Sequence, residues 1–235
     1  MYYDLNIDCQ FKDFSELDCV DAKGYCMSMS PKENYRSISP FPVPALEKPI
    51  YTRINIEYQN RLDQSIMNSL RKFDIVCIQN VDSANISSVI KLDPDVIGLK
   101  IDEVRHIKKS FINTLKEKKL YIEICIRDAL YGSREKILWM NSLRRLLKLG
   151  CARILVVSTG AQIFTELKTS NDICKILNVF GLSDDNVKKI LRNSEDVLRS
   201  AALKRYSSRN AIVTNENEGK LKEDFIINYK KRESL

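Results

Sequence analysis

The sequence carries a single histidine, His106, and a single tryptophan, Trp139. One histidine cannot build a multi-histidine metal centre. A Ser–His–Asp triad would have to be assembled around His106, with no G-x-S-x-G elbow to support it. His106 lies in an amphipathic stretch beside Arg105, Lys108 and Lys109, where a solvated or capping role is the ordinary one. Glycine is scarce at seven residues, and Gly160 stands alone where a dinucleotide loop would need a glycine cluster; no Walker sequence occurs. The seven cysteines (Cys9, Cys19, Cys26, Cys77, Cys125, Cys151 and Cys174) form no C-x-x-C pair, which removes zinc-ribbon and thioredoxin readings. Cys77 and Cys125 sit in apolar strand-like runs, so reduced, structural thiols in a reducing compartment are expected. No apolar run approaches the ~20 residues of a membrane span, and the polar start Tyr2-Tyr3-Asp4 is unlike a secretory signal. The expectation is a soluble intracellular protein.

Positive charge is what the chain has in excess, and it is unevenly spread. Residues 1–99 hold 10 Lys+Arg against 14 Asp+Glu, whereas residues 100–235 hold 28 against 17. A basic half on a mildly acidic remainder is the footprint of a polyanion binder, although lysine-rich helices that merely solvate a surface would give the same count.

Short apolar runs alternate with amphipathic stretches. Strands are predicted at Tyr2–Ile7, Tyr25–Met29, Tyr51–Glu57, Asp74–Ile78, Asp95–Lys100, Leu120–Ile126 and Arg153–Val157. Helices are predicted near 13–23, 61–72, 82–92, 103–118 and 133–149. That alternation predicts a parallel α/β sheet, and its number of repeats favours a compact TIM-like barrel over a doubly wound open sheet. At about 25 residues per unit the barrel would be distorted and short of a strand. Extra C-terminal helices follow: Asp172–Phe180 ending at Gly181, one starting at Ser183, and a third from Asn193-Ser194 to about Tyr206. Residues 1–206 read as one barrel domain. Residues 30–50, with five of the six prolines, read as a surface excursion, and residues 207–235 as a basic tail with one possible strand at Ala211–Thr214.

Carboxylates near strand ends (Asp8, Glu57, Asp102, Glu123) could gather a metal ion at a barrel mouth, which keeps a stand-alone metal-dependent phosphoesterase as the rival reading. Basic residues are better supplied: Arg127 after the sixth strand, Arg134 and Lys136 at the next helix start, Lys168 in the loop after the seventh strand, and Arg205 near the last helix end. Side chains of this kind on loops and helix starts reach phosphates. Ser158, Thr159 and Gly160 would add hydroxyl and backbone donors at the same rim. Arg144 and Arg145 are equally compatible with a solvated helix face. No RNP, KH or helix-turn-helix pattern points to direct reading of base sequence.

The order Val157-Ser158-Thr159-Gly160-Ala161, Glu166-Leu167-Lys168, Asp172-Ile173 and Phe180-Gly181-Leu182 resembles the thirty-kilodalton protein subunit family of ribonuclease P and ribonuclease MRP. Tyr3-Asp4-Leu5-Asn6-Ile7, Gly24-Tyr25, Phe73-Asp74-Ile75-Val76, Asp95-Val96-Ile97 and Glu123-Ile124 are similar to its strands. Lys168 stands where the family usually has arginine, which keeps the charge and loses the bidentate fork. Thr169-Ser170 replaces Gly-Pro. The resemblance implies a TIM-like barrel related in shape to polymerase-and-histidinol-phosphatase phosphoesterases. It further implies a non-catalytic RNA-binding subunit that supports removal of the 5′ leader of precursor tRNA by an RNA subunit, with a share in MRP and rRNA processing. No cofactor would be bound by the protein itself, and Mg2+ would sit on the RNA. The implied partners are ribonuclease P RNA, precursor tRNA, a small ferredoxin-like protein subunit and other subunits of the particle, with no membrane. The implied location is the nucleus and nucleolus, or the cytoplasm in a prokaryote.

Overall fold

Seven parallel strands lie side by side in the order in which they occur along the chain. The computed structural model describes residues 2–32, 35–58, 62–208, 211–212 and 219–227. The strands are β1 (Asp4–Asp8), β2 (Tyr25–Met29), β3 (Ile50–Glu57), β4 (Ile75–Val81), β5 (Val96–Leu99), β6 (Tyr121–Cys125) and β7 (Leu155–Ser158). The helices are α1 (Phe14–Leu17), α2 (Gln64–Leu70), α3 (Ile86–Leu92), α4 (Lys109–Glu117), α5 (Ser133–Lys148), α6 (Ser170–Val179) and α7 (Asp184–Tyr206), with a 3-10 turn at Ile101–His106. Runs such as Ile75-Val-Cys-Ile78 are buried on both faces, as a parallel sheet under a helical coat requires.

The wall curls until its first and last strands meet. The Asp8 N–H donates to the Ala161 carbonyl at 2.9 Å, and Ile7 bridges Ala161 in the parallel sense. Asp4, fully buried, accepts from the Thr159 backbone N–H at 3.1 Å and from the Thr159 hydroxyl. The result is the seven-stranded, TIM-like barrel that the alternation predicts, sealed by a seam narrower than an ordinary strand pair.

Where other units carry a helix between strands, the β2–β3 connection carries the proline-rich excursion. Its described residues form neither helix nor strand. Tyr35 is buried, Phe41 and Leu46 pack against the core, and Lys48 Nζ donates to the carbonyls of Leu17 and Asp18 at 3.1 and 2.8 Å. The excursion is therefore docked on the barrel and closes the end of α1. Gly24 must be glycine here: a Cβ would lie 2.7 Å from the Pro49 carbonyl oxygen.

Two expectations need correction. The polar pair Asn193-Ser194, read as a helix start, lies inside the unbroken α7 and is buried. Asn193 Nδ2 donates to the carbonyls of Ala152 and Leu155, at 2.9 and 2.6 Å. The Ser194 hydroxyl accepts from the Tyr3 N–H at 2.9 Å. These residues tether the helix to the barrel instead of capping a new one. The region from 207 is also more than a tail. Ser207–Ser208 pairs antiparallel with Ala211–Ile212, and residues 219–227 return to the barrel. There Leu221 and Phe225 are buried, Phe225 meets the rings of Tyr3 and Tyr51 with centroids 6.0 Å apart, and the Tyr51 hydroxyl donates to Asp224 at 2.7 Å. Thr214 and the rest of that possible strand lie outside the described residues.

Candidate functional site

In a barrel of parallel strands, chemistry gathers where the strands' carboxyl ends open. Here a cavity of about 220 Å3 opens at that end, bordered by Asn6, Ser30, Asn55, Gln79, Asn80 and Arg127 among others. Its floor is an ion pair. Arg53, fully buried in β3, grips both carboxylate oxygens of Glu123 in β6, with Nη1 to Oε1 at 2.6 Å. Two further guanidinium donors are occupied as well: Nη1 reaches the Leu5 carbonyl and Nε reaches Asn55 Oδ1, each at 2.7 Å. Asn55 donates on to Asn6 at 3.2 Å, and Asn6 Nδ2 lies 3.2 Å from Cys125 Sγ. The Ser158 hydroxyl completes the chain 3.3 Å from the same sulfur.

This network engages the carboxylate on which the rival reading leans. Both Glu123 oxygens accept from a guanidinium that cannot give up its charge, so the carboxylate is already neutralised by a fixed partner. Asp8 accepts from the Gln10 N–H at 2.8 Å and from Gln162 Nε2 at 3.2 Å, while Glu57 accepts from Asn80 at 3.1 Å. Asp102 lies apart, exposed, 3.8 Å from Lys100. Among the described residues no three His, Cys, Asp or Glu side chains converge into a metal site. Burial raises the Cys125 thiol well above its usual pKa, chiefly by removing water from the thiolate, so it remains protonated.

One side of the mouth is a clasp between the loops after β6 and β7. Arg127 Nε lies 3.2 and 3.1 Å from the two oxygens of Glu166, and its Nη2 donates to Gln162 at 2.8 Å. Glu166 also accepts from the Gln162 N–H at 2.7 Å and from the Tyr131 hydroxyl. Burial opposes its ionisation, but these donors outweigh it and hold the carboxyl below the usual range. The guanidinium stacks over the Tyr131 ring, 5.3 Å from its centroid, yet about a third of the Arg127 side chain remains open to solvent. Gly160 sits under it with φ +68, and a Cβ there would come within 3.2 Å of Arg127 Cβ. Only glycine lets the two loops close.

The predicted site residues divide by place. Arg127, Arg134 and Lys136 are at the mouth or on the exposed start of α5. Ser158 and Thr159 are not rim donors: both are fully buried, one hydroxyl turned to Cys125 and the other to Asp4. Lys168 folds back on its own loop, donating to the carbonyls of Thr165, Glu166 and Leu167 at 3.1, 3.2 and 3.0 Å. Arg205 belongs to the opposite end of the barrel. It is almost wholly buried, pairs with Asp95 at 2.7 Å and donates to the Phe73 carbonyl at 2.8 Å. Trp139 is core, with its indole N–H on the Cys125 carbonyl at 2.7 Å.

Sequence reasoning missed Arg53 and Arg105. For Arg53 a signal existed: Arg53, Asn55 and Glu57 alternate with Thr52, Ile54 and Ile56 in β3, and period two puts one parity inside a barrel. Arg105 lies on the 3-10 turn and joins Arg134 and Arg145 around a groove of about 730 Å3 beside the mouth. Its placement depends on how that turn packs on α5, which no local pattern encodes.

The protein chain of an archaeal ribonuclease P, solved by cryo-EM with mature tRNA, superposes with a TM-score of 0.71 at 17% identity, covering 93% of this chain and 100% of that one. At that identity the likeness speaks for the fold. Protein GAMETOPHYTE DEFECTIVE 1 of Arabidopsis thaliana is 21% identical over 170 residues, 69% of this chain, and the match spans 29% of that longer protein. The family profile described as RNase P subunit p30 matches residues 1–206, the barrel and α7 together. The chain belongs to the RNase P subunit p30 family.

Proposed function

We propose that the protein is a non-catalytic, RNA-binding subunit of the ribonuclease P ribonucleoprotein that supports 5′-leader removal from precursor tRNA by the RNA subunit. The observation that carries this reading is the contrast at the mouth. The floor, where a barrel enzyme would hold its chemistry, is a self-neutralised Arg53–Glu123 pair, while arginines gather on the outside. A buried bidentate pair fixes a shape, and neither of its members is free to move a proton. Exposed arginines release counterions from a polyanion. The archaeal neighbour was solved in a ribonuclease P with tRNA, and the family carries that context to this chain. Within this reading the divalent cation belongs to the RNA. A small ferredoxin-like subunit is a partner, MRP and rRNA processing are shared work, and the nucleolus is the site in a nucleated cell.

Two measurements test the proposal together. Affinity purification at mild salt is expected to recover one abundant structured RNA and precursor-tRNA cleaving activity, and RNase treatment is expected to abolish the activity. Cleavage of precursor tRNA or of a chromogenic phosphate ester by the protein alone, with Mg2+ or Mn2+, lost on Asp8→Ala, would establish the phosphoesterase reading instead.

A further inference from the structure

The mouth cavity and the arginine groove are neighbours with opposite chemistry. Ile101 and Ser142 border both, and the Ser142 hydroxyl donating to the Ile101 carbonyl at 2.8 Å forms the wall between them. On the groove side stand Arg105, Arg134 and Arg145, all exposed, against one carboxylate, Asp102, which lies 3.8 Å from Lys100. Arg145 is braced by Nη2 on the Ile107 carbonyl at 3.3 Å. On the mouth side the lining is amide and hydroxyl: Asn6, Asn55, Gln79, Asn80 and Ser30. The charges there are Asp8 and Asp128, beside the self-cancelling Arg53–Glu123 pair and an Arg127 that is paired with Glu166 but about a third open to solvent.

We infer that the groove and mouth together form a site for single-stranded RNA, with phosphates on Arg105, Arg134 and Arg145 and one unpaired nucleoside inserted into the barrel mouth. This rests on the RNA-binding reading above. Each half of the site selects one half of a nucleotide. Guanidinium groups hold phosphate by charge and by their forked donors. Asp8 and Asp128 repel phosphate from the mouth, whereas the amides of Gln79 and Asn80, outside the Asn6–Asn55 network, present donor and acceptor side by side, the pattern that matches a base edge or ribose hydroxyls. A cavity of about 220 Å3 suits one splayed-out nucleoside and has no room for a helix. In A-form RNA the bases are stacked inward, so only a loop, bulge or single strand can supply that ligand.

The test uses the full chain and a mixed-sequence dodecamer of RNA, single-stranded or annealed to its complement, titrated over a range of salt. The single strand is expected to bind more tightly than the duplex. Arg105→Ala combined with Arg134→Ala should weaken both forms roughly tenfold or more and flatten the salt dependence of single-strand binding by about 1.4 in log–log slope, two phosphate contacts' worth. Ser30→Trp, an exposed rim position chosen to fill the mouth, should erase the single-strand preference without altering the slope, a loss of roughly tenfold or more. Gln79→Ala, which empties space instead of filling it, should weaken single-strand binding in the same direction, and equal melting temperatures would certify both folds. If RNA binds but Ser30→Trp and Gln79→Ala leave the single-strand preference intact, the nucleoside assignment is overturned while the RNA-binding reading stands. Absence of RNA binding at low salt would overturn both. Displacement of the strand by nucleoside monophosphates at equal nucleotide concentration would assign the mouth to a free nucleotide and overturn the RNA source.

Discussion

The two ends of the barrel each hold an arginine–carboxylate clamp, and the clamps are built for different ends. At the closed end, Arg205 of α7 and Asp95 before β5 are both about 5% exposed, and Lys204 reinforces them through Asp93 at 2.9 Å. At the mouth, Glu166 is buried but its partner Arg127 stays about a third open. Burying both partners locks an element down; burying only the acid holds a cation at the surface with a fixed aim. From sequence alone the two arginines were equal candidates for phosphate contact. Their surroundings separate a rivet from a handle.

The comparison is broken most severely at the barrel floor, which serves both ends. Glu123→Ala should cost about 3–5 kcal/mol in urea denaturation, because it strands the Arg53 charge in a dry interior. The double change Arg53→Met with Glu123→Leu should recover most of that loss. If the double variant is no more stable than the single one, the pair is not the seat of the cost. Next comes the clamp itself. Arg205→Ala should destabilise by about 3 kcal/mol or more and leave RNA affinity per folded molecule unchanged, since Asp95 loses its counter-charge. Arg127→Ala should cost about 1–2 kcal/mol and weaken RNA binding, so the two variants reverse their rank between the two assays.

Acid titration sharpens the contrast further. Burial raises Asp4 to about 6, against opposing hydrogen bonds from Thr159. A raised folded pKa means the folded state holds the proton more tightly than the unfolded chain. That contribution is complete below the unfolded value near 3.9, shrinks as pH rises, and is gone above about 6, a span of up to about 3 kcal/mol. Asp4→Asn should flatten the stability profile between pH 4 and 6. Burial also opposes ionisation of Asp95, but Arg205 outweighs it and lowers the pKa, so its contribution is present above about 3.9 and lost below. Arg205→Ala should therefore change the profile on the acid side of the window that Asp4 governs. The smallest effect is expected at Lys168: Lys168→Ala removes contacts to its own loop, at a cost near 1 kcal/mol and with RNA affinity within about twofold of wild type. A tenfold loss of affinity would return Lys168 to the list of phosphate contacts.

The fold was legible because its grammar is local. Apolar runs of four to eight residues, most of them followed by an amphipathic stretch, locate six of the seven strands within a residue or two and the end of the fourth within three. The site was legible only in part, because Ser, Thr, Lys and Arg at loop positions look alike until their partners are known. Ser158 and Thr159 turn inward because Cys125 and Asp4, far away in sequence, offer them partners. Lys168 is drawn to three carbonyls of its own turn, and Arg205 to an aspartate on another unit. Asn193-Ser194 carries the composition of a cap, yet its hydrogen bonds go to residues across the barrel. Except at Lys168, whose partners lie in its own turn, a long-range partner overrode a correct local tendency.

The seam between the first and last strands has a consequence for the nascent chain. Asp4 and Thr159 are 155 residues apart, so β1 has no partner on its outer edge until nearly the whole barrel has been made. At ordinary rates of translation that is a wait of roughly 8–30 s, during which an unpaired strand edge is exposed beside an incomplete sheet. A message truncated before residue 161 would yield an open sheet, a substrate for chaperones and proteases instead of a subunit, so the barrel's last contact acts as a check that the domain has been translated through its seventh strand.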